Sequence, residues 1–512
     1  MGRVPIRVAD VIWLLLCEIS SARRLGFSMI GGMIFRHIRV HFAGYSFELR
    51  AVKPLSWRRW GLPLIGYIPL TRKSMHDQLF DLHNKYGGIY VWRFGTQVIV
   101  ILHDFQLNKD AFTSQDFVDR PSWKFFRYGE ETANGVMASN GSLWHNNRRF
   151  ALRQLRDLGM GKSKLVAAVQ RSGTQLVQQL KKQAGRPAPM PHALHVAVVN
   201  VIWQMVGGKQ FEMYDPRLLE FEDLTLVLME SIAYLAIPDI FPWIMYILPG
   251  ALTRLRVMKG VSVLIALPQK EIEEHRATLD RDCPRDLIDG YLMMMEEKAE
   301  DPDNTFSEKD LAILILDLFF AGSESSTITL TWMFYYLATY PEVQQKMQAE
   351  IDEVLPKGTL ATLEDKLRMP YTEAVIHEIL RKSSLAATGV QHVATRDTQL
   401  GGYFIPKVGK TVHHDPRYWD RPDEFLPERW LDQQGKFTAK KEGFLPFGVG
   451  KRSCLGEALA RMELFIFSTT VFQSLIFSQP PGKKIDLRYD PKVIFTHNPK
   501  IQDVLITIRP GF

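Results

Sequence analysis

The chain has 512 residues, 46% hydrophobic and 11% aromatic, with a formal net charge of +7. That is enough apolar material for one large or two to three ordinary domains, and it excludes a disordered chain. Three scattered cysteines, Cys17, Cys283 and Cys454, exclude a disulfide framework and indicate a reducing compartment. The dispersed basic residues form no aromatic-interleaved stripe, which excludes a nucleic-acid partner but suits a membrane surface.

Residues 1–53 read as a leader. Its apolar pieces, "VIWLLLC" (Val11 to Cys17) and "FSMIGGMIF" (Phe27 to Phe35), fall short of the roughly eighteen residues that span a bilayer. Arg23, Arg24, Arg36, His37 and Arg39 punctuate them, so the segment is either an interfacial, monotopic attachment or a leader without fixed structure. Residues 54–512 show no linker and no repeat, and read as a single domain.

Strand-like pieces come first, "GGIYVWRFG" and "QVIVIL" between Gly87 and Leu102, and helix-period segments dominate thereafter. The spacing predicts a long helix from a Ser307 cap, with Asp310 three residues on, to Tyr340 just before Pro341. Its first half, "LAILILDLFFAG", is apolar nearly all round and demands burial, while Asp317 and Glu324 interrupt any membrane span. Late strands at "GGYFIP" (Gly401 to Pro406) and "QDVLITI" (Gln502 to Ile508) lead us to expect the chain ends to meet at small sheets. The fold class is mainly α with small β-sheets.

The stretch "FGVGKRSCLGEALARMELF" carries the chemistry. Leu455, Ala458, Leu459, Met462 and Phe465 recur at helical spacing, so Cys454 stands at or just before a helix N-terminus. Amides there, with Lys451 and Arg452, are expected to lower the thiol pKa and favour thiolate. Gly450 and Gly456 admit a flat ligand close to the backbone, and Phe447 covers its thiolate side. Zinc is excluded because no second cysteine or HxxxH-type pair lies within spacing reach; haem, which needs a single axial residue, fits.

Phe447, Gly450, Arg452, Cys454 and Gly456 together resemble the haem-binding signature FxxGxRxCxG of the cytochrome P-450 family. "EILR" (Glu378, Arg381), "PERW" (Arg429) and "WHNNR" (Trp144, Arg148) resemble its other motifs, in the family's order. "FVDRP", "CPRDLIDGYL", "VHHDPRYW" and "GEALARMELF" are most similar to the animal microsomal, drug- and steroid-oxidising branch.

The resemblance implies the cytochrome P-450 fold, with haem between the long central helix and the cysteine loop, and Cys454 as axial iron ligand. It implies propionate contacts from Trp144, Arg148, His392 and Arg452, and a structural network of Glu378, Arg381 and Arg429. In "AGSESS", Ala321 and Gly322 form the small pair, with Gly322 expected to loosen the helix, and Glu324 and Ser325 form an acid–alcohol proton relay. Serine here replaces the usual threonine.

The implied activity is that of a monooxygenase, an oxidoreductase using dioxygen and, through a flavoprotein reductase, NADPH. It acts at the cytoplasmic face of the endoplasmic reticulum membrane. Phe319, Phe320, Leu385, Ala386, Ala387 and Val390 would line an apolar pocket for a steroid, fatty acid or xenobiotic. "IPDIFPWIMYILPG" (Ile237 to Gly250) is either a pocket roof touching the bilayer or core. Arg148, Arg149, Arg153, Arg156, Lys440, Lys441 and Lys451 would face the acidic reductase.

The family pattern is broken at "VGKT" (Val408 to Thr411), where a strand and turn are shortened, and at "PLSWRRW" (Pro54 to Trp60), which replaces a proline-rich hinge. An isomerase or dehydrase, or a catalytically silent haem-binding protein, are the alternatives. The retained relay speaks against the first and the shortened segment speaks for the second.

Overall fold

The computed structural model describes residues 75–512 apart from 124–133, 159–162, 217, 220–236, 244–256, 387–388, 397, 406–407, 411–416, 440, 491–492 and 494–495. The leader, the Pro54 to Trp60 stretch, Ala387 and Lys440 lie outside the described residues.

Helix α1 (Met75–Tyr86) leads into a hairpin, β1 (Ile89–Phe94) and β2 (Gln97–Leu102), then α2 (Phe105–Thr113) and a 3-10 turn at Gln115–Phe117. Gly95, at φ +60, makes the hairpin turn, and a side chain there would collide with the Ile240 carbonyl. Thr96 N–H and Gln97 Nε2 donate to Ile240 O and Asp239 O, so the start of the "IPDIFPW" stretch is pinned to the hairpin tip, with Ile237 and Phe241 buried.

Next come α3 (Gly141–Asp157), α4 (Ser163–Gln183), β3 (Ala188–Pro189) and α5 (Ala193–Val206). They are followed by α6 (Val257–Ala277), α7 (Leu287–Glu297) and α8 (Glu308–Thr339). The chain continues with α9 (Pro341–Val354), α10 (Pro370–Ser383), β4 (Thr398–Leu400), β5 (Tyr403–Ile405), β6 (Val408–Lys410), α11 (Glu457–Ser474), β7 (Leu475–Ser478) and β8 (Asp503–Ile508).

The small sheets are three. β1 and β2 pair antiparallel, and β6 adds to β2 in parallel, Val100 opposite Val408. The second has the order β3-β8-β7, and β4 pairs with β5. The expectation that the chain ends meet is corrected: among the described residues, the early hairpin takes its third strand from 408–410, while β8 pairs with β7 and β3. What remains of the shortened segment still forms a strand.

Helix α8 is the 32-residue axis of the core, with Ser307 capping the Asp310 amide as the sequence predicts. It is long and apolar enough to cross a membrane, but it is packed inside the protein. Its charged interruptions are clamps. Asp310 accepts from Gly135 N and Tyr291 Oη, and Asp317 accepts from Val136 N and Met137 N at 2.7 and 2.8 Å. Buried carboxylates with several donors are tolerated, and here they fasten the 134–137 segment to α8.

Candidate functional site

Helix α11 starts at Glu457 with Gly456 as N-cap, so Cys454 stands two residues before the N-cap, just ahead of the helix as its spacing predicts. Its N–H donates to Phe447 O at 2.8 Å, closing the loop. Gly450 is obligatory there: it holds φ +80, and a Cβ would lie 1.8 Å from the Phe112 carbonyl oxygen. No atom lies within 4 Å of where a Cβ on Gly456 would stand, so the backbone beside the cysteine is open to a flat group. Cys454 is exposed as a residue, although the surrounding chain partly desolvates its sulfur.

One expectation fails in an informative way. Burial pushes the Cys454 thiol up from its ordinary range; the Gly456 amide and, weakly, Arg148 oppose this, and Glu457 adds to it. Desolvation is the largest influence on it, and Arg452 spends its donors on Val118, Val136, Ser139 and Asn140.

Arg452 donates to four acceptors, Val118 O, Val136 O, Ser139 O and Asn140 Oδ1, and stacks 3.9 Å over Trp144. Arg148 donates to Ser453 O at 2.8 Å. The sequence reading passed over a third guanidinium, Arg120 of "FVDRP", which is 7% exposed and donates to Val390 O and Gln391 O. None of the three makes an ion pair among the described residues.

Burial, then Arg148, pulls Arg120 down to about 9. Burial, then Arg120 and Arg148, pulls Arg452 down to about 8, although Asp119 opposes it. Partly desolvated cations that repel one another and make no ion pair among the described residues point to an anion site. Arg120 Nε and Trp144 Nε1 are buried and lack acceptors among the described residues. His392 bonds Phe117 O through Nδ1 at 2.6 Å and packs on Phe112, at the edge of the same cluster. An accessible thiol, an open glycine wall and a set of cations and orphaned donors fit the axial and propionate needs of haem.

The three remaining motif residues converge as the resemblance implies. Arg381 Nε and Nη2 donate to Glu378 at 2.9 and 2.7 Å, and Arg429 Nε donates to the same carboxylate at 3.1 Å. Trp430 Nε1 and Leu426 N complete its shell, and Arg381 also holds Pro422 O and Glu424 O. Trp430 was invisible beforehand because its role depends on a fold between distant segments.

On α8, the stretch from Phe320 to Ser325 breaks an otherwise buried run: Ala321 is exposed, and Phe320, Gly322, Glu324 and Ser325 are half-buried. Gly322 does not loosen the helix, which stays α-helical throughout. It lets α5 approach, since a Cβ would meet Ile202 Cδ1 at 2.9 Å. Ser325 Oγ donates to Ala321 O at 2.7 Å. Phe319 is 1% exposed and packs on Trp203 at 4.7 Å, so it belongs to the α5–α8 contact rather than to the accessible stretch. Leu385 is half-buried against the core, while Ala386 and Val390 are exposed.

Helix α8 is tied to the cysteine helix beside this stretch. Ser326 Oγ donates to Glu463 on α11 at 2.6 Å, and burial pushes the Glu463 carboxyl up to about 8. Arg149, Arg153, Arg156 and Lys451 are exposed on the cysteine side, and Lys441 is half-buried over Trp430. Burial first, then Lys451, Arg149 and Arg452, lowers the pKa of His145, which reports the positive potential of this face.

The comparisons agree with this geometry. The family model described as Cytochrome P450 matches residues 57–504. The chain is similar to "Cytochrome P450 2L1" of Panulirus argus, 42% identical over 88% of this chain and 94% of that protein. It is also similar to "Cytochrome P450 2J3" of Rattus norvegicus, 37% identical over 84% and 87%, and to "Cytochrome P450 2B19" of Mus musculus, 36% identical over 83% and 88%.

Proposed function

The chain belongs to the cytochrome P450 family and is an oxidoreductase of the monooxygenase kind, and from that premise we propose that it inserts one atom of dioxygen into a hydrophobic small molecule. The steroid, fatty-acid and xenobiotic classes fit the apolar character of Phe320, Ala321, Leu385, Ala386 and Val390. The observation that carries the reading is the accessible Cys454 beside the buried Arg120 and the half-buried Arg148 and Arg452, three guanidinium groups with no ion-pair partner among the described residues.

Cys454 would hold haem iron, and Arg120, Arg148, Arg452, Trp144 and His392 would hold its propionates. Haem bound through a thiolate supplies dioxygen activation, because the sulfur donates electron density that favours cleavage of the dioxygen bond. Glu324 and Ser325 hold and move protons at the half-accessible stretch of α8. The exposed Arg149, Arg153 and Lys451 suit an acidic donor, which we take to be an NADPH-dependent flavoprotein reductase at the endoplasmic reticulum membrane.

The test is the spectrum of the reduced protein under carbon monoxide, followed by product formation with NADPH, reductase and apolar substrates. A strongly red-shifted Soret band with substrate-dependent NADPH consumption is expected. A protein without that band is no monooxygenase.

A further inference from the structure

Glu324 has a contact that the relay motif does not account for. Its Oε1 lies 3.6 Å from Nε2 of His195, on the first turn of α5, where His195 is 7% exposed. One turn earlier, His192 is exposed, and the two imidazole centroids are 6.4 Å apart. His192 lines an open groove of about 530 Å³ together with Lys182, Arg186 and Tyr214. Two imidazoles and a carboxylate thus run in series from the protein surface to the accessible stretch of α8. Val196, Val199, Ile202 and Trp203 of the same helix are buried.

We propose that His195 is a positioning residue for Glu324 and the group that recharges it with protons from the His192 groove. The inference rests on the monooxygenase reading. Each insertion consumes one dioxygen, two electrons from NADPH and two protons, and yields the hydroxylated product and one water. Glu324 surrenders protons through Ser325 and must regain them. Protonated His195 gives its Nε2 proton to Glu324 Oε1 and becomes neutral, then takes a proton back on the His192 side. Imidazole suits this because it accepts and releases protons near neutral pH, which the surrounding side chains cannot do. The 3.6 Å separation is ion-pair contact.

The experiment compares wild type, His195→Gln and His195→Leu as full chains loaded with haem. The red-shifted carbon monoxide band verifies that each has folded. His195→Gln is expected to raise peroxide released per product several-fold in reductase-driven turnover, with unchanged product formation when hydrogen peroxide replaces dioxygen and reductase. Peroxide brings its own protons, so a packing defect would depress both assays.

A second readout needs no turnover. The infrared carboxyl band that Glu324→Gln removes should shift in His195→Leu. A wild type lacking the carbon monoxide band would overturn the monooxygenase reading and this inference with it. An intact wild type, with an unmoved carboxyl band and an unchanged peroxide ratio in the His195 variants, would overturn this inference alone.

Discussion

Glu378 receives both Nε and Nη2 of Arg381, at 2.9 and 2.7 Å, and neither side chain keeps any accessible surface. Removing one partner of a buried pair is strongly destabilising, and without Arg381 the buried Glu378 carboxylate would keep only Arg429 as a cationic partner. Arg381→Ala also strips donors from Pro422 O and Glu424 O, carbonyls that fix the approach of the Pro427–Trp430 turn. The variant is expected to lose haem incorporation rather than merely turn over more slowly. Haem content per protein, with the denaturation midpoint, checks this, and full haem content would refute it.

Glu463 gives a pH dependence of stability. Burial raises its folded pKa to about 8, above the unfolded value of 4.5, so between these limits the folded protein holds a proton that the unfolded chain has released. Its contribution is fully present below the unfolded pKa and is lost as pH rises toward 8, at up to about 1.4 kcal/mol per unit. Glu463→Gln keeps an acceptor for Ser326 and removes the titration. Its stability relative to wild type should grow from pH 5.5 to pH 7.5 in urea melts, and a difference that stays constant would refute a neutral Glu463.

At Ser325 the hydroxyl is bonded back to Ala321 O at 2.7 Å, and serine lacks the methyl that restricts threonine rotamers. Ser325→Thr is expected to lower the ratio of peroxide released to product formed, and Ser325→Ala to raise it. Parallel measurement of NADPH, peroxide and product decides the matter.

Arg149 and Arg153 are exposed on one face of α3, with Arg153 only loosely paired to Asp157 at 3.6 Å. A double reversal to glutamate should slow reductase-driven turnover about tenfold or more through weakened association, with a reduced salt dependence, and leave peroxide-driven turnover intact. Equal losses in both assays would exclude this face as the docking surface.

Much of this site was legible beforehand because its determinants are local. The Ser307 cap, the apolar face of α8, the glycines around Cys454 and the one-turn spacing of Glu378 and Arg381 each follow from backbone geometry within a few residues. Arg120 was not legible: a single arginine in "FVDRP" has no local signature, and its role appears only when Arg148 and Arg452 close on it from other segments. Phe319 and Gly322 were read as pocket and hinge. Which side of a wholly apolar helix faces a ligand depends on the neighbouring helix, and here Trp203 and Ile202 of α5 claim those two positions.

Signature spacing and periodicity, which are properties of short stretches, are enough for the family, the cysteine loop and the mainly helical class. Tertiary structure decided the electrostatics. Burial raises the Cys454 thiol against the pull of its helix start, gathers three guanidinium groups without ion-pair partners among the described residues, and sets His195 against Glu324. Desolvation and charge proximity act through space between segments that the chain order keeps far apart.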